Sequence, residues 1–168
     1  SDLLVTKAGE ARAETAVAQS AAKAEDILRS VANPKPIASH EMTQSLWNDV
    51  VPQAEALART GDDSAVNSVL DRIQKIDQAN KGGMGLLDAH ASKVAAAKAA
   101  KPVYLAHERG LPTNVNAATE SEAVAKDLRA AIENRAPAVK AQNAETQSAI
   151  GLDRGIASSR NRSNLLPL

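Results

Sequence analysis

The stretch SEAVAKDLRAAIENRAPAVKAQNAETQSAI, residues 121–150, decides the predicted fold. Its first half places Leu128 and Ile132 at helical spacing on one face, and Ser121 is a residue type that caps helices. Charged and polar side chains occupy the rest of each turn, among them Asp127 and Glu133, which we interpret as a solvated face. This half therefore predicts an amphipathic helix.

Pro137 divides the stretch into two. Proline lacks a backbone donor and disfavours helix at the preceding residue, so the helix bends or stops there and restarts with the proline near its first turn. The restarted helix runs through Val139 towards Ile150. Two helices with narrow apolar stripes need another helical surface to cover them. We expect the neighbouring helices to cover them only in part, which makes Leu128, Ile132, Val139 and Ile150 candidate interaction residues.

The composition favours thin helical layers. Hydrophobic residues make up 43% of the 168 residues but aromatic residues only 1%, with Trp47 and Tyr104 alone and Phe absent. About a fifth of the residues are Ala, which forms helices readily and buries little area. The sequence predicts an all-α protein with a long N-terminal helix, a small up-and-down bundle and a proline-bent C-terminal helix pair.

Charge and cysteine usage exclude several classes of function. The 20 basic and 20 acidic residues give a formal net charge of zero, so no overall field attracts nucleic acid or an anionic membrane. The absence of Cys excludes disulfides and thiolate catalysis. No apolar stretch is long enough to span a bilayer and no signal peptide is recognisable, so we expect synthesis in a cytoplasm without a signal peptide. Ser1 fits both removal of an initiator Met and a fragment of a longer chain.

The first predicted region, residues 1–32, is one long helix, because it lacks Pro and is dominated by Ala, Glu, Lys and Arg. One apolar stripe passes through Leu4, Ala8, Ala11, Thr15, Ala18 and Ala22. A second stripe passes through Val17, Ala21, Ala24, Leu28 and Val31. Such stripes suit a coiled-coil seam, and they also suit an exposed N-terminal arm, since Ala buries little.

The second predicted region, residues 37–101, is the bundle. Asn33-Pro34-Lys35-Pro36 separates it from the first helix. Its first helix begins with Ser39 as the cap, ends near Gly61, and is kinked near Asn48 by Pro52. Trp47 is the largest apolar group, and we expect it to anchor the local core, with ligand stacking as the alternative.

Two more helices complete the predicted bundle. Asp62 or Asp63 caps a helix whose apolar side is Val66, Val69, Leu70, Ile73 and Ile76. Gly82–Gly85 breaks the chain before a fourth helix over residues 86–100, whose Leu86, Leu87, Val94 and Ala97 can face the third. Short connections favour antiparallel neighbours, which is why we expect an up-and-down arrangement.

The third predicted region, residues 102–168, contains the quoted stretch. Pro102 should interrupt the fourth helix, and residues 110–120 are polar and turn-rich enough to form a flexible connection. An apolar tail with Leu165 and Leu166 ends the chain and is a further candidate docking element.

No motif predicts catalysis, a cofactor or a metal. The cluster at Gly82, Gly83 and Gly85 lacks the Lys-Ser/Thr and the preceding strand of a phosphate loop. His40, His90 and His107 lie far apart and lack an acidic or second His partner at ligand spacing. We interpret the carboxylates, including Glu10 and Glu14, as residues on solvated helix faces. Three basic residues, Arg154, Arg160 and Arg162, are a weak nucleic-acid signal without interleaved aromatics and suit a helix terminus better.

The C-terminal part of the chain resembles a helical segment of structural proteins of tailed bacteriophages and prophages. The residues that carry this resemblance are Leu128-Arg129, Ile132-Glu133, Pro137, Lys140, Asn143-Ala144-Glu145, Ser148 and Arg154 to Arg162. The similarity extends more loosely over residues 34–164 and includes Leu70 to Ile73. It implies an Ala-rich virion protein located in the head interior, ejected, or associated with the tail. It carries no catalytic residue to this chain.

The leading hypothesis is therefore a non-enzymatic virion component that assembles through its helices, with further copies or other virion proteins as partners. The alternative is a bacterial helical protein-binding or adaptor module that uses the Trp47 region as a groove. A nucleic-acid-contacting ejection protein is a third possibility. The candidate interaction residues are Trp47, Leu128, Ile132, Val139, Ile150, Leu165 and Leu166.

Overall fold

The computed structural model of the chain describes residues 2–111, 114–142 and 144. These residues form α-helices and contain no β-strand, so the predicted all-α class is confirmed. The elements are α1 (Asp2–Arg29), α2 (Ser39–Ser45), a π-helical segment (Leu46–Val50), α3 (Val51–Ala58), α4 (Ser64–Ala79), α5 (Leu86–Glu108) and α6 (Val115–Arg135).

The chain divides into two compact units. The central unit is Ala32–Arg135, and the terminal unit combines Ser1–Val31 with Ala136–Leu168. The boundary predicted between residues 101 and 102 lies inside α5. Each unit is described separately below.

The terminal unit contains the predicted long N-terminal helix, which ends at Arg29. Its second apolar stripe is buried at Ala24 and Leu28, whereas the described part of the first stripe, Ala11, Thr15, Ala18 and Ala22, is exposed. The hydroxyl of the buried Ser20 donates to the carbonyl oxygen of Gln142 at 2.9 Å. α1 and the chain that follows Pro137 are therefore neighbours within this unit.

The helix stops and restarts around Pro137 as predicted. α6 ends at Arg135, residues 137 and 138 form a turn, and residues 139–142 are helical again. The amide of Val139 donates to the carbonyl of Ala136 at 3.0 Å, which closes the turn. The predicted continuation towards Ile150 lies outside the described residues.

In the central unit, α2 begins at Ser39 itself, and its cap is Ala38, one residue before the predicted cap. Ala38 precedes the first turn, its amide donates to the Glu41 carboxylate at 2.8 Å, and the Glu41 amide donates to the Ala38 carbonyl at 3.0 Å. The hydroxyl of Ser39 instead bonds to the carboxylate of Asp77 in α4. The capping prediction for Ser39 was wrong because its side chain makes a contact between helices.

The third predicted helix, α4, starts after an acidic turn as expected. Asp62 accepts bonds from the hydroxyl of Ser64 at 2.6 Å and from its amide at 3.0 Å, and these bonds hold the pKa of Asp62 below its usual range. Val69 and Ile73 are buried, but Leu70 is exposed. Val66 and Ile76 are half-buried, so the buried side of α4 is the predicted one except at Leu70.

The glycine-rich segment after α4 pairs with the chain before α2. Ile37 and Met84 exchange two backbone hydrogen bonds, each of 2.8 Å. Gly83 has a φ of +84°, and a Cβ there would lie 2.8 Å from the Cβ of Pro36. Only glycine satisfies both the backbone conformation and this close approach.

α5 is longer than predicted because Pro102 does not end it. Proline removes one backbone hydrogen bond from a helix interior, which costs about 3 kcal/mol unless packing compensates. α5 packs along α6, and beyond the proline the Tyr104 hydroxyl donates to Glu122 of α6 at 3.2 Å. This packing keeps the chain helical on both sides of Pro102.

The pairing of α5 with α4 was predicted wrongly. α5 packs on α6 and makes no comparable contact with α4, and Leu87 and Ala97, which were expected to face α4, are exposed. The central unit is therefore not a simple up-and-down bundle in chain order. α6, which also packs against α2, the π-helical segment and α4, lies among the other helices.

α6 starts before the residue that we predicted as its cap. The side-chain oxygen of Asn114 accepts the amide of Ala117 at 3.1 Å, so Asn114 caps the helix and Ser121 lies inside it. The expectation of a flexible connection over residues 110–120 was wrong from Asn114 onwards. With the side chain of Asn114 as its cap, this turn-rich segment forms the first turns of α6.

The apolar stripe of α6 is covered within the chain. Leu128 is 1% exposed and Ile132 is 0% exposed, and Val124 and Ala131 are also buried. The expectation that this stripe is left partly uncovered was wrong, because α5 and α2 both pack against α6.

Four polar side chains of α6 bond to helices on the other side of the central unit. Two of these residues bond to α4 and the other two bond to α2. The pairs are Glu120–Ser68 (2.6 Å), Ser121–Arg72 (3.0 Å), Asp127–Ser45 (2.6 Å and 2.7 Å) and Arg135–Glu41 (2.8 Å and 3.0 Å). These bonds fix the positions of α2 and α4 along the axis of α6.

Arg135 makes the most extensive of these contacts. Its guanidinium forms a two-pronged ion pair with Glu41 and donates to the carbonyls of Lys35 at 2.6 Å and Pro36 at 3.1 Å. The Arg135 side chain is only 10% exposed. It therefore ties the end of α6 to both the start of α2 and the proline connector.

Replacing Arg135 should destabilise the central unit. We expect Arg135→Met to lower the free energy of unfolding by about 2 kcal/mol, because it leaves Glu41 and two backbone carbonyls without their charged donor. Lys75→Met is the matched control, since Lys75 pairs with Asp71 on the surface and its loss should change stability by less than about 0.5 kcal/mol. Urea unfolding followed by circular dichroism measures both. Equal stability of the two variants would contradict the role given to Arg135.

The same ion pair predicts a pH dependence. The hydrogen bond from Arg135 holds the pKa of Glu41 below its ordinary value, against the opposing effect of partial burial. The unfolded state therefore binds a proton at higher pH than the folded state, and stability falls as the pH decreases from about 5 through the lowered pKa. In Glu41→Gln this contribution is absent, so its stability curve should be flatter between about pH 5 and pH 3. Parallel curves for the two proteins would show that the pair does not contribute.

Candidate interaction surface

Trp47 lies on the surface of the central unit, with half of its side chain exposed (50%). We expected it to anchor the local core, and that prediction was wrong. The core beneath this helix is filled by Met42 and Leu46, both of which are fully buried. An exposed indole offers a large apolar area and one hydrogen-bond donor to a partner.

The backbone that carries Trp47 is π-helical. The amide of Val51 donates to the carbonyl of Leu46, five residues earlier, and the segment Leu46–Val50 has this wider winding. Pro52 follows immediately, in the first turn of α3. A proline would clash with the carbonyl four residues before it, and the wider turn accommodates that carbonyl. A π-helical turn lies at the position where we predicted a kink, near Asn48, and the helix continues through it.

A buried carboxylate holds the start of this segment. Asp127 is 8% exposed and accepts the amide of Ser45 at 2.7 Å and its hydroxyl at 2.6 Å. A side chain that takes a backbone amide in this way locally rearranges the helical ladder. Asp127 thus fixes the turn from which Trp47 projects. Interpreting Asp127 as a solvated residue was wrong, and nothing in the local sequence signals a partner 82 residues away.

An exposed ion pair links the π-helical segment to α6. Asp49 is in the π-helical segment, and its carboxylate is 3.7 Å from the ammonium of Lys126 in α6. Both side chains are more than half exposed. Such a pair contributes little to stability.

A cleft of about 70 Å³ opens further along the same helix. Its walls come from the π-helical segment and α3 on one side, and from the first turns of α4 and α6 on the other. The lining residues are Val50, Gln53, Ala54, Leu57, Ala65, Asn116, Thr119 and Glu120. Leu57 is 47% exposed at its rim, so the apolar surface continues from the exposed helix into the cleft.

The sequence-predicted interaction residues have different environments. Leu128, Ile132 and Val139 are buried and do not reach the surface of the described structure. Ile150, Leu165 and Leu166 lie outside the described residues, as do Arg154, Arg160 and Arg162. Trp47 is the one predicted residue among those described that is exposed. Sequence reasoning missed the cleft, because its residues are spread over four elements.

The described residues contain no group of three or more His, Cys, Asp or Glu side chains that could hold a metal ion. Of the three histidines, His90 is buried in α5, and His40 and His107 are exposed on different helices. Among the described helices, none is long and apolar enough to cross a membrane.

Lys93 lies on α5 and is partly buried. Burial in α5 lowers the pKa of its ammonium group, nearby Arg129 lowers it further, and Glu133 acts in the opposite direction. Arg129 and Glu133 are themselves an ion pair of 3.1 Å on α6. The three side chains form a charged contact between α5 and α6 and are not part of the cleft.

Comparisons of the chain with protein-family models, with curated proteins and with solved structures found no match.

Removing the Asp127 carboxylate should both destabilise the protein and move Trp47. We expect Asp127→Ala to cost about 2 to 3 kcal/mol, because the amide and hydroxyl of Ser45 lose a charged acceptor in a buried position. Trp47 is the only Trp in the chain, so its fluorescence reports directly on the π-helical segment.

The control for this experiment is Asp49→Asn, which removes a carboxylate from the same region but breaks only an exposed pair. Its stability should stay within about 0.5 kcal/mol of the parent. Chemical unfolding followed by fluorescence gives stability and the native emission maximum together. If Asp127→Ala behaved like Asp49→Asn in both readouts, Asp127 would not hold this segment.

Proposed function

We propose that this protein is a non-enzymatic structural component of a tailed-phage virion that assembles through its helices, with further copies or another virion protein as its partner. The observation that carries the assembly role is the half-exposed indole of Trp47 on a helix fixed by Asp127. The proposed location in a virion is supported by the resemblance of residues 34–164 to Ala-rich phage structural proteins. Such a protein would lie in the head interior, be ejected, or be associated with the tail.

Trp47 has the properties of an interface anchor. Tryptophan is enriched among the few residues that dominate binding energy, and a fixed backbone lowers the entropy lost on binding. The hydrogen bonds from Ser45 to Asp127 supply that fixed backbone. Asp49 and Lys126 are exposed charges of the same unit that can pair with charges on a partner.

The assembly surface differs from the one expected from sequence. The stripe of α6 is buried, so the exposed large apolar side chains of the central unit lie elsewhere. Besides Trp47, they are Leu57, Leu70, Leu87, Leu105 and Leu111. Trp47 and Leu57 share the helix formed by α2, the π-helical segment and α3, whereas the other four lie on different elements or beyond α5.

Sedimentation velocity over a range of protein concentrations tests the assembly role. We expect association that Trp47→Ala weakens by at least about tenfold, which corresponds to about 1.4 kcal/mol. Leu70→Ala is the matched control, because Leu70 is also an exposed apolar side chain but lies on α4. Mass spectrometry of intact particles from the encoding phage or prophage tests the virion context.

Two outcomes would contradict these proposals. A monomer at all concentrations that also binds no other virion protein would remove the assembly role. Purified particles that lack peptides of this chain would remove the virion location.

A bacterial protein-binding or adaptor module is the alternative function, and the cleft beside Leu57 favours it. A monomeric adaptor would bind one segment of another protein at Trp47 and Leu57 without self-association. In that case Trp47→Ala would abolish binding to that protein while leaving the sedimentation of the isolated chain unchanged.

A further inference from the structure

We propose that the cleft between α3, α4 and α6 binds a primary ammonium group carried on an unbranched aliphatic chain, with the carboxylate of Glu120 as its counter-ion. This site lies within the central unit. It does not depend on the proposed assembly role or on the virion context.

Glu120 is a buried carboxylate with a neutral partner. Its side chain lines the cleft, the residue is only 3% exposed, and one carboxylate oxygen accepts the Ser68 hydroxyl at 2.6 Å. Within the described part of the chain, no Lys, Arg or His nitrogen lies within 4.0 Å of this carboxylate. Burying a carboxylate is unfavourable unless a charge or several donors offset the loss of water. A cation entering the cleft would supply that charge.

The walls of the cleft suit an aliphatic chain. Val50, Ala54, Leu57 and Ala65 are apolar and line the approach to the carboxylate. Long basic side chains commonly bury their methylene groups along such surfaces while their charged end reaches a polar site. Because Leu57 is exposed at the rim, an incoming chain would also cover part of an apolar side chain that water now surrounds.

The remaining polar residues can accept hydrogen bonds from an ammonium group. Thr119 donates its hydroxyl hydrogen to the carbonyl of Val115 at 3.0 Å, and its oxygen also lies 3.4 Å from the Tyr104 hydroxyl, which leaves it one further lone pair. Gln53 and Asn116 also line the cleft and have amide oxygens. An ammonium group has three donors and no acceptor, which matches one carboxylate surrounded by neutral acceptors.

Other cations fit this site less well. A guanidinium prefers two parallel bonds to one carboxylate, but Ser68 already occupies one oxygen of Glu120. Divalent metal ions need several oxygen or nitrogen ligands, and the described residues form no such group here. A compact ammonium on a narrow chain also suits a volume of about 70 Å³.

The test is a titration of the isotopically labelled full chain followed by ¹H–¹⁵N NMR. The probes are butylammonium chloride, n-butanol as the uncharged chain of the same length, and Nα-acetyl-lysine N-methylamide as the protein-borne form. We expect saturable shifts of the Asn116, Thr119 and Glu120 amides with butylammonium, with a Kd on the order of 1 mM. Butanol should cause none at the same concentrations.

Two glutamates on α6 provide matched variants. Glu120→Gln keeps the shape and can still accept the Ser68 hydroxyl, and it should weaken butylammonium binding by at least about tenfold. Glu122→Gln removes the same charge from an exposed position two residues away and should leave the affinity unchanged. Ala54→Val, which narrows the cleft without changing its charge, should also weaken binding.

The outcomes separate the sources of the ammonium group. Shifts with both amines assign the cleft to a lysine side chain of a partner, whereas shifts with butylammonium alone assign it to a free aliphatic amine. The proposal is overturned if neither amine shifts these amides, if butanol shifts them equally, or if Glu120→Gln binds as tightly as Glu122→Gln.

Discussion

Buried polar side chains on α6 hold the central unit together. Glu120 and Ser121 bond to α4, and Asp127 and Arg135 bond to α2, so one helix fixes the positions of two others. A chain with so few aromatic side chains has little shape-specific apolar packing, and alanine faces can slide past one another at small cost. Directional bonds with charged partners make one alignment more favourable than its neighbours.

The same bonds shape both candidate sites. Asp127 holds the amide that precedes the π-helical segment, and that segment accommodates Pro52 and carries Trp47 outwards. Glu120 is held by Ser68 of α4 and forms one wall of the cleft. The exposed indole and the buried carboxylate are therefore two consequences of how α6 is placed.

Several elements could be predicted from residue types because their causes are local. The long α1 follows from its composition, the break at Gly82–Gly85 from its glycines, and the restart after Pro137 from the missing amide. Local reasoning failed at Pro102 and Ser121. Packing of α5 along α6 compensates for the backbone hydrogen bond that Pro102 removes. The Asn114 cap lets α6 begin before Ser121. Both outcomes depend on free energies of a few kcal/mol that neighbouring elements supply.

The sequence by itself determined that the chain is helical and where most helices lie. It also identified the few large apolar side chains that can form a core or an interface. Only the tertiary structure decided which helices pair, that the stripe of α6 is covered, and that Trp47 is exposed while Asp127 and Glu120 are buried. The physical reason is the distance along the sequence over which each interaction acts. Helix propensity and proline geometry act within a few residues, whereas the bonds of Asp127 and Glu120 join positions 82 and 52 residues apart. A polar residue on a helix has the same local pattern whether it faces water or a buried serine.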